Sequence, residues 1–397
     1  MMIAIMGEGL DGHVSGIRPW RAYPRSRVAA RGDVHTAAAP PSSKPAGEST
    51  AMRRSKPARF TLALTAAALT ATAAACSSAA PAATGTVAPS TVTLALDWTP
   101  NTNHTGIFAA QQLGYFKAAG IDLKIVPYGS TAPETLVATH KADFAISYQD
   151  GLTEAAATGG DITSVFAVTQ KTDVVIGVRA DSGITSPKQL DGKTYAGYGS
   201  PLEQPMLTYV IKHAGGAGTF KDVTLNTDAY QALYAGQADF ALPEPTWEVI
   251  QARLVGKPLT TFDLAAYGFP PIYSVLIASS HQYLNAHGEV ARRFLAAVQK
   301  GYRYATDHPA DAAGLLIKAN PSVLGTQKQL VDESAALEAS QYYRDPAGRI
   351  GTQSDARWKT LTDFLFANGI LTDAAGKPLT AQPALMSLYT NAYLPAP

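Results

Sequence analysis

Apolar residues recur along the chain after position 90 with two different periods. Residues 91–96 alternate β-branched and apolar side chains, which predicts a strand. Residues 107–113 have helical spacing and end near Gly114, a residue type that commonly follows a helix. A second strand is predicted at 121–126. This order of strand, helix and strand indicates a parallel α/β unit.

A six-residue pattern occurs twice in the chain. Lys-Ala-Asp-Phe-Ala-Ile at 141–146 resembles Gln-Ala-Asp-Phe-Ala-Leu at 237–242, and each follows a stretch of helical spacing. A further strand, loop and helix are predicted at 193–196, 197–203 and 206–211. The repeated context favours two α/β lobes of similar plan over the alternative, a chance recurrence in an Ala-rich chain.

The last third of the chain is richer in helical spacing. An apolar stripe with residues four positions apart lies within 289–304, and further helices are predicted at 327–342 and 354–368. We interpret these helices as scaffold of the first lobe. The first lobe is therefore expected to comprise 91–180 and 273–397, and the second lobe 181–272.

Polar loops follow several of the predicted strands, at 97–104, 147–149, 198–203 and 243–245. In open α/β sheets, ligands bind outside the carboxyl ends of the strands. If the two lobes face each other, all these loops line one cleft. The expected fold class is therefore α/β, with two lobes, a ligand cleft between them and a hinge on which they close.

Composition narrows the function classes. The 397 residues carry a formal net charge of +1, which gives no indication of a nucleic-acid partner. Cys76 is the single cysteine, so no disulfide can form within the chain. No spacing typical of metal ligands stands out among the eight histidines. Sequence motifs of hydrolases, P-loop enzymes and zinc proteases are missing as well. We expect a protein without enzymatic activity and without a cofactor.

The segment before Cys76 has the order of a secretory signal. A basic cluster at 53–59 precedes an apolar run at 60–71, and three alanines at 73–75 then precede the cysteine. The apolar run is too short to span a membrane. The small residues before Cys76 resemble the bacterial lipobox, which implies cleavage before Cys76 and attachment of lipid to its sulfur. The alternative is an Ala-rich disordered linker.

The flanks of this segment have different characters. Residues 1–51 lack a sustained apolar period, and our hypothesis is that Met52 is the true start and that 1–51 are a non-native extension. Residues 52–76 are then a lipoprotein signal peptide. Residues 77–90 consist of small and polar residues that cannot bury a core, which predicts a flexible tether. The folded part is thus expected at the outer face of the cytoplasmic membrane.

Several motifs resemble one known family. They are Asp-Trp-Thr-Pro-Asn-Thr-Asn-His-Thr-Gly at 97–106, Leu-Gly-Tyr-Phe at 113–116, Ser-Tyr-Gln at 147–149 and Tyr-Gly-Ser-Pro-Leu-Glu at 198–203. Together they resemble the thiamine-pyrimidine-precursor family, which contains periplasmic-type binding proteins and related pyrimidine synthases. The resemblance implies a type II periplasmic-binding-protein fold, an aminopyrimidine ligand such as a formylated aminomethylpyrimidine, and delivery to an ABC permease.

The synthase branch of this family carries a Cys-Cys-Cys-Phe-Cys segment and binds iron. This chain has only Cys76, which argues against the synthase function, although His104 lies where that branch places a reactive histidine. The synthase alternative predicts iron binding and loss of His104 side-chain atoms. A second alternative is a binding protein for another heteroaromatic, such as a flavin precursor, or for a sulfonate. We expect a monomer.

The cleft loops supply aromatic rings, carboxylates and amides, whereas Arg and Lys are nearly missing and Lys171 is the nearest exception. A sulfonate or phosphate site usually uses Arg, Lys or a helix N-terminus. An aminopyrimidine needs a flat stacking surface and carboxylates that accept its amine hydrogens. The candidate ligand-binding residues are Asp97, Trp98, Asn101, Asn103, His104, Tyr148, Gln149, Tyr198, Gly199, Ser200, Glu203 and Glu244.

Four of these candidates also have a structural interpretation. Trp98 is at a strand end, where it could be a core aromatic, and Asp97 could cap the following turn. His104 could cap or fill the start of the helix at 107. Glu203 precedes a predicted helix, where a carboxylate suits the N-terminus.

Overall fold

The computed structural model describes residues 89–395, so the predicted signal peptide, Cys76 and most of the tether lie outside the described residues. The strands are β1 (Ser90–Ala95), β2 (Ile121–Val126), β3 (Phe144–Ser147), β4 (Thr163–Ala167), β5 (Val175–Arg179), β6 (Thr194–Gly197), β7 (Lys221–Thr224), β8 (Phe240–Ala241), β9 (Leu259–Asp263) and β10 (Leu276–Ser279). The helices are α1 (Thr105–Gln112), α2 (Tyr115–Ala118), α3 (Pro133–Ala138), α4 (Gln149–Ala157), α5 (Glu203–His213), α6 (Ala229–Tyr234), α7 (Glu248–Leu254), α8 (His281–Asp307), α9 (Pro309–Ala319), α10 (Pro321–Leu324), α11 (Lys328–Gln341), α12 (Asp355–Ala367) and α13 (Leu385–Leu388).

These strands form two five-stranded sheets with the same plan. The first has the order β2-β1-β3-β10-β4 and the second β7-β6-β8-β5-β9. In each sheet the central strand lies parallel to one neighbour and antiparallel to the other. In the first sheet β3 is parallel to β1 and antiparallel to β10, and in the second β8 is parallel to β6 and antiparallel to β5. We call the parts built on these sheets the first lobe and the second lobe. The predicted architecture of two α/β lobes is confirmed.

The repeated six-residue pattern has the same position in both sheets. Its aspartates, Asp143 and Asp239, directly precede β3 and β8. Asp143 accepts a hydrogen bond from the backbone N–H of Thr93 in β1 at 2.7 Å, and Asp239 accepts one from Thr194 in β6 at 2.8 Å. Each carboxylate therefore ties the central strand to its parallel neighbour. The similarity between the two segments reflects a shared structural role.

The chain passes between the two lobes twice. One connection joins β4 to β5 and the other joins β9 to β10, so that a strand from late in the chain completes the first sheet. The connections meet where the Asp173 N–H donates to the Ser274 hydroxyl at 2.7 Å. These two crossings form the predicted hinge.

Helices α1, α8 and α9 cover the first sheet. The predicted apolar stripe of α8 faces this core, where Phe294, Val298 and Tyr302 are fully buried. Gly114 follows α1 with φ of 74°, a left-handed conformation that favours glycine, as predicted. Within residues 89–395, no helix combines the length and apolar character needed to cross a bilayer.

The C-terminal helix α12 contacts both lobes. Its Trp358 is buried in a cluster with Tyr273 and residues of the first sheet, whereas Leu361 and Leu365 belong to the apolar cluster of the second lobe. The sequence-based assignment placed all of 273–397 in the first lobe. In the structure α12 packs against both lobes along its length, with Trp358 near its start against the first lobe and Leu361 and Leu365 further along against the second.

Helices α1 and α8 approach closely at two glycines. A Cβ atom on Gly301 would collide with the carbonyl oxygen of Gly106, and one on Gly106 would collide with the ring of Tyr302. Both glycines are buried. The close crossing of α1 and α8 therefore requires glycine, which has no side chain, at both positions.

We expect Gly301→Ala to destabilise the protein by about 1–3 kcal/mol, because overpacking forces the two helices apart. Gly314→Ala is the matched control, since this helical glycine of α9 is exposed and a methyl group added to it would meet no atom within 4 Å. The control should gain up to about 1 kcal/mol from helix propensity. Urea unfolding of both variants measures this, and equal stability of the two would contradict the packing argument.

Candidate functional site

Three aromatic side chains meet where the carboxyl ends of the strands of both lobes face each other. Trp98 follows β1, Tyr128 follows β2 and Tyr198 follows β6. The Trp98 ring lies 5.2 Å from Tyr128 and 5.8 Å from Tyr198, measured between centroids. The hydroxyls of Tyr128 and Tyr198 are 3.4 Å apart. This aromatic trio therefore joins the two lobes across the cleft.

Sequence reasoning selects Trp98 and Tyr198 but not Tyr128. Tyr128 stands two residues beyond the end of β2, so the rule that ligands bind at strand carboxyl ends would have found it. Tyr128 and Tyr198 are 40% and 43% exposed. Their position makes them accessible from the mouth of the cleft.

Asp97 is the buried carboxylate of the first-lobe side. It accepts hydrogen bonds from His104 Nε2 at 2.8 Å and from the Tyr148 hydroxyl. His104 Nδ1 accepts from the Asn101 N–H, so the ring hydrogen that points to Asp97 is on Nε2. Burial opposes the charge of Asp97, but its hydrogen bonds to His104 and Tyr148 hold its pKa below the usual value.

The other candidates in this loop are turned into the protein. Asn101 caps the short turn Thr102–His104 and accepts from the Asn103 N–H at 3.0 Å. His104 is fully buried, and Asn103 is 2% exposed. The carbonyl of Asn103 accepts from the Tyr302 hydroxyl. Asn101 and His104 position Asp97 from behind, whereas the buried Asn103 Oδ1 has no hydrogen-bond partner among residues 89–395.

Gln149 and Glu203 also bond to the backbone. Gln149 accepts from the Tyr273 N–H at 2.9 Å, which links α4 to the hinge. The Glu203 carboxylate accepts from the N–H groups of Tyr198 and Gly199 at 3.1 and 3.0 Å, so it shapes the loop that carries Tyr198. Gly199 has φ of 109°, which favours glycine in this loop.

Two polar groups of the second lobe face the first lobe. The Ser200 hydroxyl donates to Asp150 Oδ2 at 3.3 Å. Glu244 lies near enough to Asp97 and Tyr148 for its charge, after burial and the charge of Asp97, to raise the pKa of Tyr148. The structure thus brings together Asp97, Trp98, Tyr148, Tyr198 and Ser200 where the lobes meet, whereas Asn101, His104, Gln149 and Glu203 form their support.

A cluster of three carboxylates that was not predicted from the sequence lies on the first lobe. Glu134 accepts from the Ser147 hydroxyl at 2.7 Å, and Asp150 and Glu154 follow on α4. Burial raises the pKa of Glu134 and Asp150, and it raises that of Glu154 to about 7. Their mutual repulsion adds to the shift of Glu154.

A second acidic group lies where the second lobe meets the hinge and α11. Asp173 accepts from the Thr246 hydroxyl at 3.2 Å, and Glu338 accepts from the Thr102 hydroxyl at 2.7 Å. Burial raises the pKa of Asp173 and Glu244, and that of Glu248 and Glu338 to about 7.

The arrangement offers stacking surfaces and hydrogen-bond acceptors, and few cations. Lys171 is the cation that offsets part of the charge around Asp173. Among residues 89–395, no three acidic, histidine or cysteine side chains converge in a way that could hold a metal ion. Such a site suits a flat ligand with N–H donors.

The raised pKa values predict how stability depends on pH. The carboxyls of Glu248 and Glu338 bind protons more tightly in the folded than in the unfolded state, whose value is near 4.5. The folded protein therefore holds more protons between about pH 4.5 and 7, so the free energy of unfolding should fall as pH rises through this window. Urea unfolding at several pH values measures the slope.

Glu338→Gln should flatten this slope, because the variant removes one of the groups that takes up a proton on folding. Glu289→Gln is the control, because it makes the same substitution at a glutamate whose side chain is 83% exposed. If the free energy of unfolding changed equally with pH in wild type and in Glu338→Gln, the assignment of proton uptake to Glu338 would be contradicted.

Comparison with known families places this geometry in context. The sequence pattern of a family described as NMT1/THI5 like matches residues 101–312. A formylaminopyrimidine-binding protein of Halalkalibacterium halodurans is 27% identical, covering 76% of this chain and 91% of the relative. The 4-amino-5-hydroxymethyl-2-methylpyrimidine phosphate synthase THI5 of Saccharomyces cerevisiae is 26% identical, covering 77% of this chain and 88% of the synthase.

The fold is shared with solved periplasmic binding proteins. The alkanesulfonate-binding protein SsuA of Xanthomonas axonopodis pv. citri, bound to MOPS, superposes with a TM-score of 0.57 at 16% identity. The alignment covers 72% of this chain and 96% of SsuA. At this identity the likeness concerns the fold alone, and the predicted type II periplasmic-binding-protein fold is confirmed.

Proposed function

Because the chain belongs to the NMT1/THI5-like family, we propose that it is the substrate-binding protein of an ABC importer. Its cargo is an aminopyrimidine, a precursor of the thiamine pyrimidine, which it captures between the lobes and delivers to a permease. The observation that carries the proposal is the aromatic trio that spans the cleft beside the Asp97 carboxylate.

The aromatic trio suits a flat ring. Van der Waals contact between carbon atoms is about 3.5–4.0 Å, so two rings that sandwich a third stand about 7 Å apart. The ring centroids of Trp98 and Tyr198 are 5.8 Å apart, so no ring fits between them in this structure. The lobes therefore have to separate by about an ångström or more before a pyrimidine enters between these two rings.

The neighbouring carboxylates suit the amino group of such a ligand. A hydrogen bond to a charged group contributes about 1.5–3 kcal/mol net, and an aromatic pair about 0.5–1.5 kcal/mol beyond its buried area. One stack and two charge-assisted hydrogen bonds, reduced by the costs of association, support micromolar or tighter binding without any catalytic group.

The geometry of His104 supports a binding protein over a synthase that consumes its own histidine. The ring is fully buried, and both of its nitrogens form hydrogen bonds within the protein. Such a ring is held behind the cleft wall as a support for Asp97. The 26% sequence identity to the synthase therefore does not by itself support the same reaction in this chain.

The sulfonate alternative is weakened by the helix ends at the cleft. Helices α4 and α5 begin at the cleft loops, and each has a carboxylate of the chain in its first turn, Asp150 and Glu203. These carboxylates repel an anion from the positive helix ends that would otherwise attract it. A flavin precursor shares the aromatic and hydrogen-bonding character of an aminopyrimidine and is separated from it by experiment.

We expect formylaminopyrimidine to raise the melting temperature of the purified protein, whereas alkanesulfonates should leave it unchanged. Trp98→Ala should raise the Kd by about tenfold or more, because about 1.4 kcal/mol corresponds to a factor of ten and a stacked ring contributes on that order. Isothermal titration calorimetry measures the Kd.

Tyr115→Ala provides the control for the loss of an aromatic ring. Tyr115 lies on α2 under Lys300, at the opposite end of the sheet from the cleft. This variant should keep the wild-type Kd. Stabilisation by sulfonates or riboflavin but not by the pyrimidine would reject the proposed cargo.

We propose in addition that the protein is exported and held at the outer face of the cytoplasmic membrane by lipid on Cys76, as a monomer. The ordered basic, apolar and small-residue segments before this cysteine support the anchor. Cys76→Ser should move the protein from the membrane fraction to the soluble fraction of a bacterial host. Persistent membrane association of this variant would contradict the lipid anchor.

A further inference from the structure

A buried carboxyl group of α11 is held by hydroxyl groups rather than by a cation. Glu338 is fully buried, and within residues 89–395 its side chain is hydrogen-bonded only to the hydroxyls of Thr102 and Tyr343. The Thr102 hydroxyl lies 2.7 Å from Glu338 Oε1, and the Tyr343 hydroxyl is bonded to Oε2. A buried negative charge is costly without a cation or enough donors around it. The hydrogens available to these oxygens therefore decide whether Glu338 carries a proton.

The oxygen atoms around Glu338 are paired more often than their hydroxyls have hydrogens. Thr102 Oγ1 lies 2.5 Å from Ser334 Oγ, and the Tyr343 hydroxyl lies 3.0 Å from the Thr102 carbonyl oxygen. The Thr105 hydroxyl donates to the same carbonyl at 2.6 Å, so its hydrogen is already used. With the two bonds to Glu338 there are five oxygen pairs, whereas the four hydroxyls supply four hydrogens. If Glu338 is ionised, one pair has no hydrogen between its oxygens.

A proton on Glu338 completes this network. Glu338 Oε2 then donates to the Tyr343 hydroxyl, which is free to donate to the Thr102 carbonyl. The Thr102 hydroxyl donates to Glu338 Oε1 and accepts from Ser334. Every oxygen pair now contains one hydrogen. Burial acts in the same direction, because it raises the pKa of Glu338 to about 7.

No cation among the described residues offsets the charge that Glu338 would otherwise carry. Lys171 acts at Asp173, and Arg253 of α7 pairs with Glu333 on the partly exposed side of α11. Helix α9 contributes only alanine and leucine at its buried positions. The groups whose pKa values the charge of Glu338 helps to raise are all acids, namely Asp173, Glu244, Tyr302, Tyr342 and Tyr343.

Thr102 connects Glu338 to the loop that forms the first-lobe wall of the cleft. It begins the turn Thr102–His104, and the His104 ring is bonded to Asp97 at 2.8 Å. Trp98 of the aromatic trio follows Asp97 directly in the same loop. Helix α11 thus fastens the loop from behind, through the side chain and the carbonyl of one residue.

We propose that Glu338 in its protonated form is a positioning residue for ligand binding, which holds Thr102 and thereby the cleft loop with Asp97 and Trp98 in the geometry that receives the ligand. The inference rests on the proposed function. When Glu338 loses its proton to solvent, one hydrogen bond of the network becomes an unfavourable approach of two oxygens, and the turn loses part of its anchor. Binding should therefore weaken as pH rises through about 7.

Calorimetric titration of the wild-type protein with formylaminopyrimidine between about pH 6 and pH 8.5 tests this role. We expect the Kd to rise by about tenfold across the range, the effect of one buried polar group that loses its partner. Tight binding with the same Kd at every pH would overturn the inference and leave the proposed cargo intact. No binding at any pH would reject the cargo, and the positioning role with it.

Glu338→Gln separates positioning by a proton from a merely structural role. Glutamine keeps an oxygen that accepts from Thr102, and its N–H donates to Tyr343 at every pH. This variant should lose the pH dependence that Glu338 causes, and any titration of the ligand itself affects both proteins equally. Glu289→Gln, at an 83% exposed position, should keep the wild-type profile. The same rise of the Kd in Glu338→Gln as in wild type would exclude Glu338 as its origin.

A pair of variants at Thr102 tests the link to the loop. Thr102→Val removes the hydroxyl and should weaken binding at about pH 6 by about tenfold, with a smaller further change at higher pH. Thr102→Ser keeps the hydroxyl and should follow the wild-type profile. Equal Kd values for the two variants would contradict the link.

Infrared spectroscopy of the ligand-free protein detects the proton directly. Wild type near pH 6 should show a C=O stretch of a protonated carboxyl group that is missing from Glu338→Gln. Identical spectra in this region would overturn the inference, whether or not the Thr102 variants fold.

Discussion

The hydrogen bonds around Asp97 organise the first-lobe side of the cleft. A carboxylate buried at the end of a strand is costly unless donors surround it. His104 and Tyr148 supply those donors, and the Asn101 backbone determines which nitrogen of His104 carries the hydrogen. Through these bonds the end of β1, the following turn and the start of α4 hold one geometry. If either donor were removed, the buried Asp97 carboxylate would lose a hydrogen bond that offsets its desolvation cost.

The opposite wall of the cleft follows a different rule. Glu203 is used to fold the loop of Tyr198, because its carboxylate accepts from the N–H groups of Tyr198 and Gly199. The Tyr198 ring then reaches Trp98 of the first lobe. Closure and ligand binding are expected to be coupled, since a ligand that contacts both lobes favours the closed state.

Much of the fold was predictable from local patterns. The strand at 121–126 and the apolar stripe of α8 follow from periodicity, because a half-buried strand and a core-facing helix each turn one face to the core. The repeated aspartates predicted two similar lobes, and Asp143 and Asp239 do form the same bond in both sheets. Periodicity did not indicate that α12 contacts both lobes, because its apolar residues form a single stripe whose successive parts meet different partners only in the folded chain.

The sequence alone determined which loops at strand ends carry aromatic, carboxylate and amide side chains, since the position of a loop after a strand and its residue types are local properties. It also contains the only information on export, in the segment before Cys76. The tertiary structure decided which side chains face the cleft. His104, Gln149 and Glu203 are predicted ligand contacts, and in the structure each accepts a hydrogen bond from a backbone N–H group. The contact of Tyr128 with Tyr198 appeared only in the tertiary structure, because a contact across a cleft depends on how distant segments are brought together.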